Sequence, residues 1–345
     1  VRLLKVLFAL VIVILLAGSF VMFWPYGPDT DTFVEIAPGT GTISIAQELQ
    51  KSGVIRSAAA FEVLKEWKGR GGVKTPTLKA GEYRFNHPAE MEEVYDRLVA
   101  GDVYTVTLVI PEGFNIFDVA GAVSAAGLDT SDDFLAAEKQ HTELIAQWSP
   151  GATSLEGYLF PDTYRFNRHS TALQMLTAMV KRFGQQIAKL GIRGVNGEAG
   201  PSAAPQNDKI KESVSRLVTM ASLVEREVHI DSERPVVAGV FENRLAAGMP
   251  LQTDPAVVYA SLLRGTWTGV IHQSELHSDS AYNTYGHAGL PPGPICNPGV
   301  ASLTAALHPA QTKYLYFVAQ SNGATRFAET LNEHNANVLD YRKSQ

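Results

Sequence analysis

The 345-residue sequence holds one cysteine, Cys296. No intramolecular disulfide and no Cys-x-x-Cys redox or metal motif can form from it. Cys296 lies in a Pro/Gly loop with no candidate base beside it, so it reads as a packed thiol. Positive charge is not in excess either. Twenty-nine Lys and Arg stand against 35 Asp and Glu, for a net charge of −6, and no basic stripe occurs. A nucleic-acid partner is therefore not expected. The serine-hydrolase elbow G-x-S-x-G, the P-loop and the dinucleotide G-x-G-x-x-G are all missing. His272 and His277 are five apart with Glu275 between them and His287 beyond, but H-E-x-x-H spacing is lacking, so they read as loop or surface histidines. No metal or cofactor is expected. Charged residues make up only 19% of the chain against 45% hydrophobic, a globular composition at a length that suits two domains.

One long apolar run is present. Val6 to Trp24 carries no charge over 19 residues, close to the ~20 that span a bilayer as a helix. Arg2 and Lys5 precede it, Asp29 and Asp31 follow it, and Trp24 and Tyr26 sit where interfacial aromatics belong. A cleaved signal peptide is the rival, with small residues at Ala17-Gly18-Ser19. The run continues apolar through Phe20 to Trp24, which favours a retained anchor. Ser19 stands where a lipidated protein would need cysteine. The expectation is a cytoplasmic tail at 1–5, a transmembrane helix at 6–24, a polar linker at 25–32, and the remaining chain outside the cytoplasm.

After the linker the chain repeats itself. Val34-Glu35-Ile36-Ala37-Pro38-Gly39 is followed by Ala46, Leu49, Gly53 and Phe61. Leu108-Val109-Ile110-Pro111-Glu112-Gly113 is followed by Ala120, Val123, Gly127 and Phe134. Gly81–Phe85 (GEYRF) closes the first unit and Asp162–Phe166 (DTYRF) the second. Each unit reads as strand, Gly turn, two helices and strand, with an insertion around 140–156 in the second. A helix at 89–100 joins them. Such units bind a ligand or serve only as scaffold.

Further on, helices are expected at 171–191, 211–230 and 232–247, with a Gly/Pro/Ala-rich loop at 193–208 between the first two. Segments 249–255, 281–286 and 289–299 are dense in Pro, Gly, Asn and Tyr and read as a binding rim. A short helix at 301–308, a buried strand at 314–319, a strand at 325–327 and a C-terminal helix at 331–341 complete an α+β chain.

The segment KESVSRLVTMASLVEREVHI, 211–230, has apolar residues at helical spacing: Val214, Leu217, Val218, Ala221, Val224 and Val228. Glu225 falls inside that stripe, so its carboxylate is directed inward or into a cleft. An unpaired carboxylate there rises in pKa and becomes a candidate general acid. The alternative is a stripe-edge glutamate that pairs with an arginine. Glu227, two residues on, points elsewhere and is expected to pair with a cation. Asp254 precedes Pro255 and either joins a site or caps the next helix. Glu156, in LEGYLFPDTY, is a second site carboxylate or a structural acceptor.

ASLVEREV at 221–228, LEGYLFPDTYRF at 155–166, VFENRL at 240–245, PLQTDPAVVYA at 250–260, AYNTYGHAGLPPGPICNPG at 281–299 and ALHPAQTKYLYFVA at 306–319 resemble the YceG-like endolytic murein transglycosylases over nearly the whole chain. The resemblance implies a LysM-like βααβ module at 33–104 and a catalytic domain at 105–345, whose second βααβ unit spans 105–166. It implies a single-pass protein of the bacterial inner membrane facing peptidoglycan. Such a protein cleaves the β-1,4 bond between N-acetylmuramic acid and N-acetylglucosamine inside nascent glycan strands, beside the synthases that polymerise them. The muramic 6-hydroxyl attacks its own anomeric carbon and leaves a 1,6-anhydro end. The family's catalytic glutamate matches Glu225. Glu156, Gln252, Thr253, Asp254, Asn283, Thr284 and Tyr285 are expected to contact the sugars. Many relatives carry Gly-Gly-His where this chain has Gly323-Ala324-Thr325, so a role for that histidine is in doubt here. Two other classes stay open: a muramidase that uses water with Glu156 or Asp254 as second carboxylate, and a non-catalytic peptidoglycan-binding scaffold.

Overall fold

The computed structural model of the chain describes residues 2–70, 76–192, 209–320 and 323–343. The loop expected at 193–208 lies outside them. The fold is mixed α+β and divides into two compact units, Val1–Val106 and Thr107–Gln345.

The first unit opens with helix α1, Arg2–Phe23. It is long and apolar enough to cross a membrane, with a mean hydropathy of 3.0 over an 18-residue window. Strand β1 (Thr32–Ile36), helices α2 (Thr42–Lys51) and α3 (Ala58–Gly69), strand β2 (Gly81–Phe85) and helix α4 (Met91–Ala100) follow. β1 and β2 pair antiparallel, from Thr32 opposite Phe85 to Ile36 opposite Gly81. The inward residues Val34, Ile36, Tyr83 and Phe85 close on Ala46, Leu49, Phe61 and Leu98 in one core. Residues 25–32 are not a free tether. Tyr26 and Ala89 exchange backbone hydrogen bonds of 2.9 and 3.1 Å, and Arg56 donates to the Pro25 carbonyl at 3.3 Å.

The repeat reappears in the next elements: β3 (Val106–Ile110), α5 (Ile116–Ala125), α6 (Ser131–Gln140) and β4 (Asp162–Phe166), with β3 beside β4. Its equivalence extends to the backbone. Gly39 and Gly113 sit at φ +82° and +81°, and Gly53 and Gly127 at +71° and +68°, conformations that an L side chain resists. Part of the insertion forms a 3-10 turn at Thr142–Ile145.

The second unit continues through α7 (Ala172–Lys189), α8 (Lys209–Glu227), a 3-10 turn (Asp231–Glu233), α9 (Arg234–Ala246), α10 (Asp254–Leu263), α11 (Gln273–Leu276), α12 (Val300–Leu307), β5 (Tyr316–Ala319), β6 (Thr325–Ala328) and α13 (Leu331–Lys343). α8 is central and packs against α9, α10 and α12. The whole expected stripe from Val214 to Val228 is buried, and so are Thr219, Met220, Ser222 and Leu223 on its other faces. Pro235 sits in the first turn of α9 as read. The strand read as buried at 314–319 is shorter and only half-buried. It pairs with β6 at the edge of the unit, under the exposed helix α13.

Candidate functional site

Three elements build the site: the C-terminal turn of α8, the turn into α10, and the loop at 281–286. The inward direction read for Glu225 holds, since it is 7% exposed. Its surroundings are not those of a free acid. Oε1 accepts from Arg234 Nη1 at 3.0 Å, and Oε2 accepts from the Gly299 N–H at 3.0 Å. Arg234 is itself buried and also bonds Ser302 Oγ at 2.5 Å and Asp231 at 3.0 Å. Gly299 is the N-cap of α12. Glu225 therefore joins three elements as an ion pair and as the acceptor at a helix start. The sequence reading left pairing with an arginine open, and that is the arrangement found. Glu112 packs against the Cα of Gly299 from the other side. Burial and then the Glu225 charge raise its pKa.

Glu227 is different. It is the last residue of α8 and is half-buried. The expected cationic partner is not there: Glu227 makes no ion pair among the described residues. Burial, followed by the negative charge of Asp254, pushes its carboxyl up to about 7, with Arg244 pulling the other way. Asp254 opens α10 on the exposed side and accepts from Tyr285 Oη at 2.6 Å. Burial and this hydrogen bond hold the Tyr285 hydroxyl above its ordinary range. Gln252 is exposed and sits at φ +53°, the one positive-φ non-glycine among the described residues. Such strain tends to collect at functional positions. Its N–H donates to Thr284 O at 3.0 Å, while buried Arg244 holds the preceding Leu251 and Pro250 carbonyls at 2.8 and 3.3 Å.

The other expected contacts lie inside. Thr253, Asn283 and Thr284 are buried. Thr253 N–H donates to Thr284 Oγ1 at 2.9 Å, and Asn283 Nδ2 donates to the Leu276 and Ser278 carbonyls at 3.0 and 2.8 Å. These three side chains fix one loop against another and leave Gln252, Asp254 and Tyr285 on the open face. Glu156 is 3% exposed and far from a rim position. It accepts from the Ile116 N–H at 2.9 Å and from Asn297 Nδ2 at 3.3 Å, and burial pushes its carboxyl up to about 8. It is the structural acceptor of the two readings. Segment 289–299 also departs from the rim expected of it. Ile295, Cys296 and Asn297 are buried; Ile295 N–H and Cys296 Sγ bond Ser222 of α8 at 3.1 and 3.4 Å, and Asn297 Nδ2 donates to the Phe114 carbonyl at 2.8 Å. Among the described residues no group of three or more His, Cys, Asp and Glu could hold a metal ion.

A family model described as the YceG-like family matches residues 34–340. The chain belongs to the YceG-like family. An endolytic murein transglycosylase of Bacillus subtilis (strain 168) is 35% identical over 92% of this chain and 86% of its own length. One from Streptococcus pneumoniae serotype 2 is 27% identical over 90% of this chain, which spans only 58% of that relative. The 2.6 Å crystal structure of a YceG-like protein from Listeria monocytogenes shares 33% identity, with a TM-score of 0.57 over 90% of this chain and 99% of that one.

Within this YceG-like chain, pattern reading passed over Arg234, Arg244 and Glu112 and set Glu227 aside. A signal for Glu227 existed. A glutamate in the last turn of a helix meets the negative end of its dipole, at a cost of roughly 0.3–1 kcal/mol. An acid placed there without a following cation marks a position held for something other than stability. The Thr325 N–H donates to Glu233 Oε1 at 3.0 Å.

Proposed function

We propose that the chain is a membrane-anchored endolytic transglycosylase of peptidoglycan, with Glu227 as its acid and base. The supporting observation is an unpaired, half-buried carboxyl raised to about 7 near Asp254, with the exposed Gln252 and the half-buried Tyr285 in the adjoining loops. A group with that pKa both gives and takes a proton at neutral pH. Glu227 protonates the glycosidic oxygen as the bond to the muramic anomeric carbon breaks. The muramic 6-hydroxyl forms the new bond to that carbon and gives its proton to the Glu227 carboxylate. No water is consumed, and the nucleophile is delivered by the ring itself, so one carboxyl serves both steps. Glu225, the family match in the motif, becomes the support of this site, because its oxygens are occupied by Arg234 and Gly299. Gln252, Asp254 and Tyr285 orient the sugars; Thr253, Asn283 and Thr284 shape the loops beneath, and Glu156 braces α5.

The bond cleaved is the β-1,4 link from N-acetylmuramic acid to N-acetylglucosamine within nascent strands. The product carries a 1,6-anhydro end, and the cut terminates elongation next to the synthases. Residues 6–24 span the bacterial inner membrane with the N-terminus in the cytoplasm. The LysM-like module at 33–104 and the catalytic part at 105–345 lie outside it. Mass analysis of the products from uncrosslinked glycan strands tests the reaction. Internal fragments with anhydro-muramic ends are expected. Reducing ends would make the protein a hydrolase, with Asp254 as the second carboxylate.

A further inference from the structure

The exposed apolar surface of α1 does not stop where the helix does. Val21 and Met22 pack against the core of the first unit, and α1 contacts both α3 and α4. At its end Phe20 stacks on Trp24 at 5.8 Å. The Arg56 guanidinium covers Phe20 at 4.7 Å and Tyr26 at 4.5 Å. A ring of aromatics with a cation among them is the arrangement found at a membrane–water boundary. Twenty-two helical residues reach about 33 Å at 1.5 Å each, little more than a hydrocarbon core of about 30 Å. The boundary therefore falls within about a turn of Phe20–Trp24, and the first unit has no slack to stand off from it.

Against this end of α1 lies a groove of about 1060 Å³ whose lining includes Met22 and Phe23 of α1 and Val63 and Trp67 of α3. α3 turns Phe61 and Leu64 inward, and leaves Trp67 63% and Val63 62% exposed one turn apart, with Phe23 58% exposed facing the same groove. Single exposed apolar residues are ordinary, but a continuous set is not. Glu62, Glu66 and Arg70 also line the groove, offering carboxylates for an ammonium headgroup and a guanidinium for its phosphate.

We infer that the first unit rests on the bilayer through α3, with zwitterionic phospholipid occupying the groove and Trp67 seated at headgroup depth. The inference rests on the proposal that α1 spans the membrane. It makes the unit a foot that fixes the height of the chain above the bilayer, instead of a module on a flexible stalk.

The test uses the full chain in phosphatidylethanolamine/phosphatidylcholine vesicles. Trp67→Cys and, separately, Leu10→Cys carry an environment-sensitive fluorophore; fully buried Cys296 does not compete for the label. The expected result at position 67 is blue-shifted emission, loss of signal to a headgroup-depth lipid quencher, and little loss to aqueous iodide. Position 10 should respond to a quencher at the bilayer centre. A probe at 67 that iodide quenches and lipid quenchers do not, while position 10 responds, overturns the foot alone. No lipid response at position 10 removes the spanning helix and the inference with it. Shielding at 67 by added glycan strands instead of lipid makes the groove a sugar site and also overturns the inference.

Discussion

Glu227→Gln should stabilise the protein, and do so only above acid pH. In the folded chain the Glu227 carboxyl is raised from 4.5 to about 7, mainly by burial; unfolded, it titrates near the ordinary value. Between those two pH values the folded state holds a proton that the unfolded state has lost. The contribution of the neutral carboxyl is fully present below about pH 4.5 and is lost as pH rises through about 7. A displacement of that size corresponds to at most about 3.5 kcal/mol, since one pKa unit is about 1.4 kcal/mol. Glutamine keeps the shape and never ionises, so the variant is spared the loss. The measurement is urea unfolding at pH 4.5 and pH 8, following the emission of Trp148, which is buried against Phe183 in the second unit. The two proteins should match at pH 4.5, and the variant should lead by up to about 3.5 kcal/mol at pH 8. An equal difference at both pH values, or a variant weaker at pH 8, would mean that Glu227 is not held neutral by burial.

Glu225→Gln should do the reverse. It strands the buried Arg234 guanidinium, at a cost of about 3–5 kcal/mol, seen as a lower midpoint in the same titration at pH 7. Glu156→Gln should destabilise by about 1–3 kcal/mol at pH 4.5, because its amide –NH2 replaces one of the two oxygens that accept from Ile116 and Asn297, and it should gain on the wild type as pH climbs from about 4.5 to about 8, where the contribution of the wild type's raised carboxyl is lost. Gly239→Ala should destabilise by about 1–3 kcal/mol or more, since the added Cβ overlaps the Ala310 carbonyl; a calorimetric midpoint checks it. Gln252→Gly should raise the melting temperature by relieving the positive φ, by about 1 kcal/mol or more, and weaken glycan cleavage.

Periodicity carried the fold where one face is buried. The βααβ repeat, the α8 stripe and the Pro-started α9 follow from apolar spacing and from glycines whose φ demands them, as at Gly39 and Gly113. It failed where tertiary partners decide. Nothing local to α8 says that Arg234 arrives beside Glu225 from the start of α9, or that the N–H of Gly299 completes the pair. The same stripe that directed Glu225 inward made it look like the acid, whereas inwardness supplied partners. Composition likewise marked 289–299 as a rim, because buried straps and exposed loops draw on the same Pro, Gly and Asn. The hydroxyls of Thr253 and Thr284 hydrogen-bond to one another, a use that composition does not separate from sugar binding.

The central claim is the division of labour between two glutamates two residues apart. The direct measurement is product mass analysis from uncrosslinked glycan strands with the wild type, Glu225→Gln and Glu227→Gln, at a temperature where circular dichroism shows all three folded. Anhydro-ended fragments are expected from the wild type and from folded Glu225→Gln, with a loss of about 10²–10⁴ in rate for Glu227→Gln. Near-normal cleavage by Glu227→Gln, with none from folded Glu225→Gln, would contradict that division.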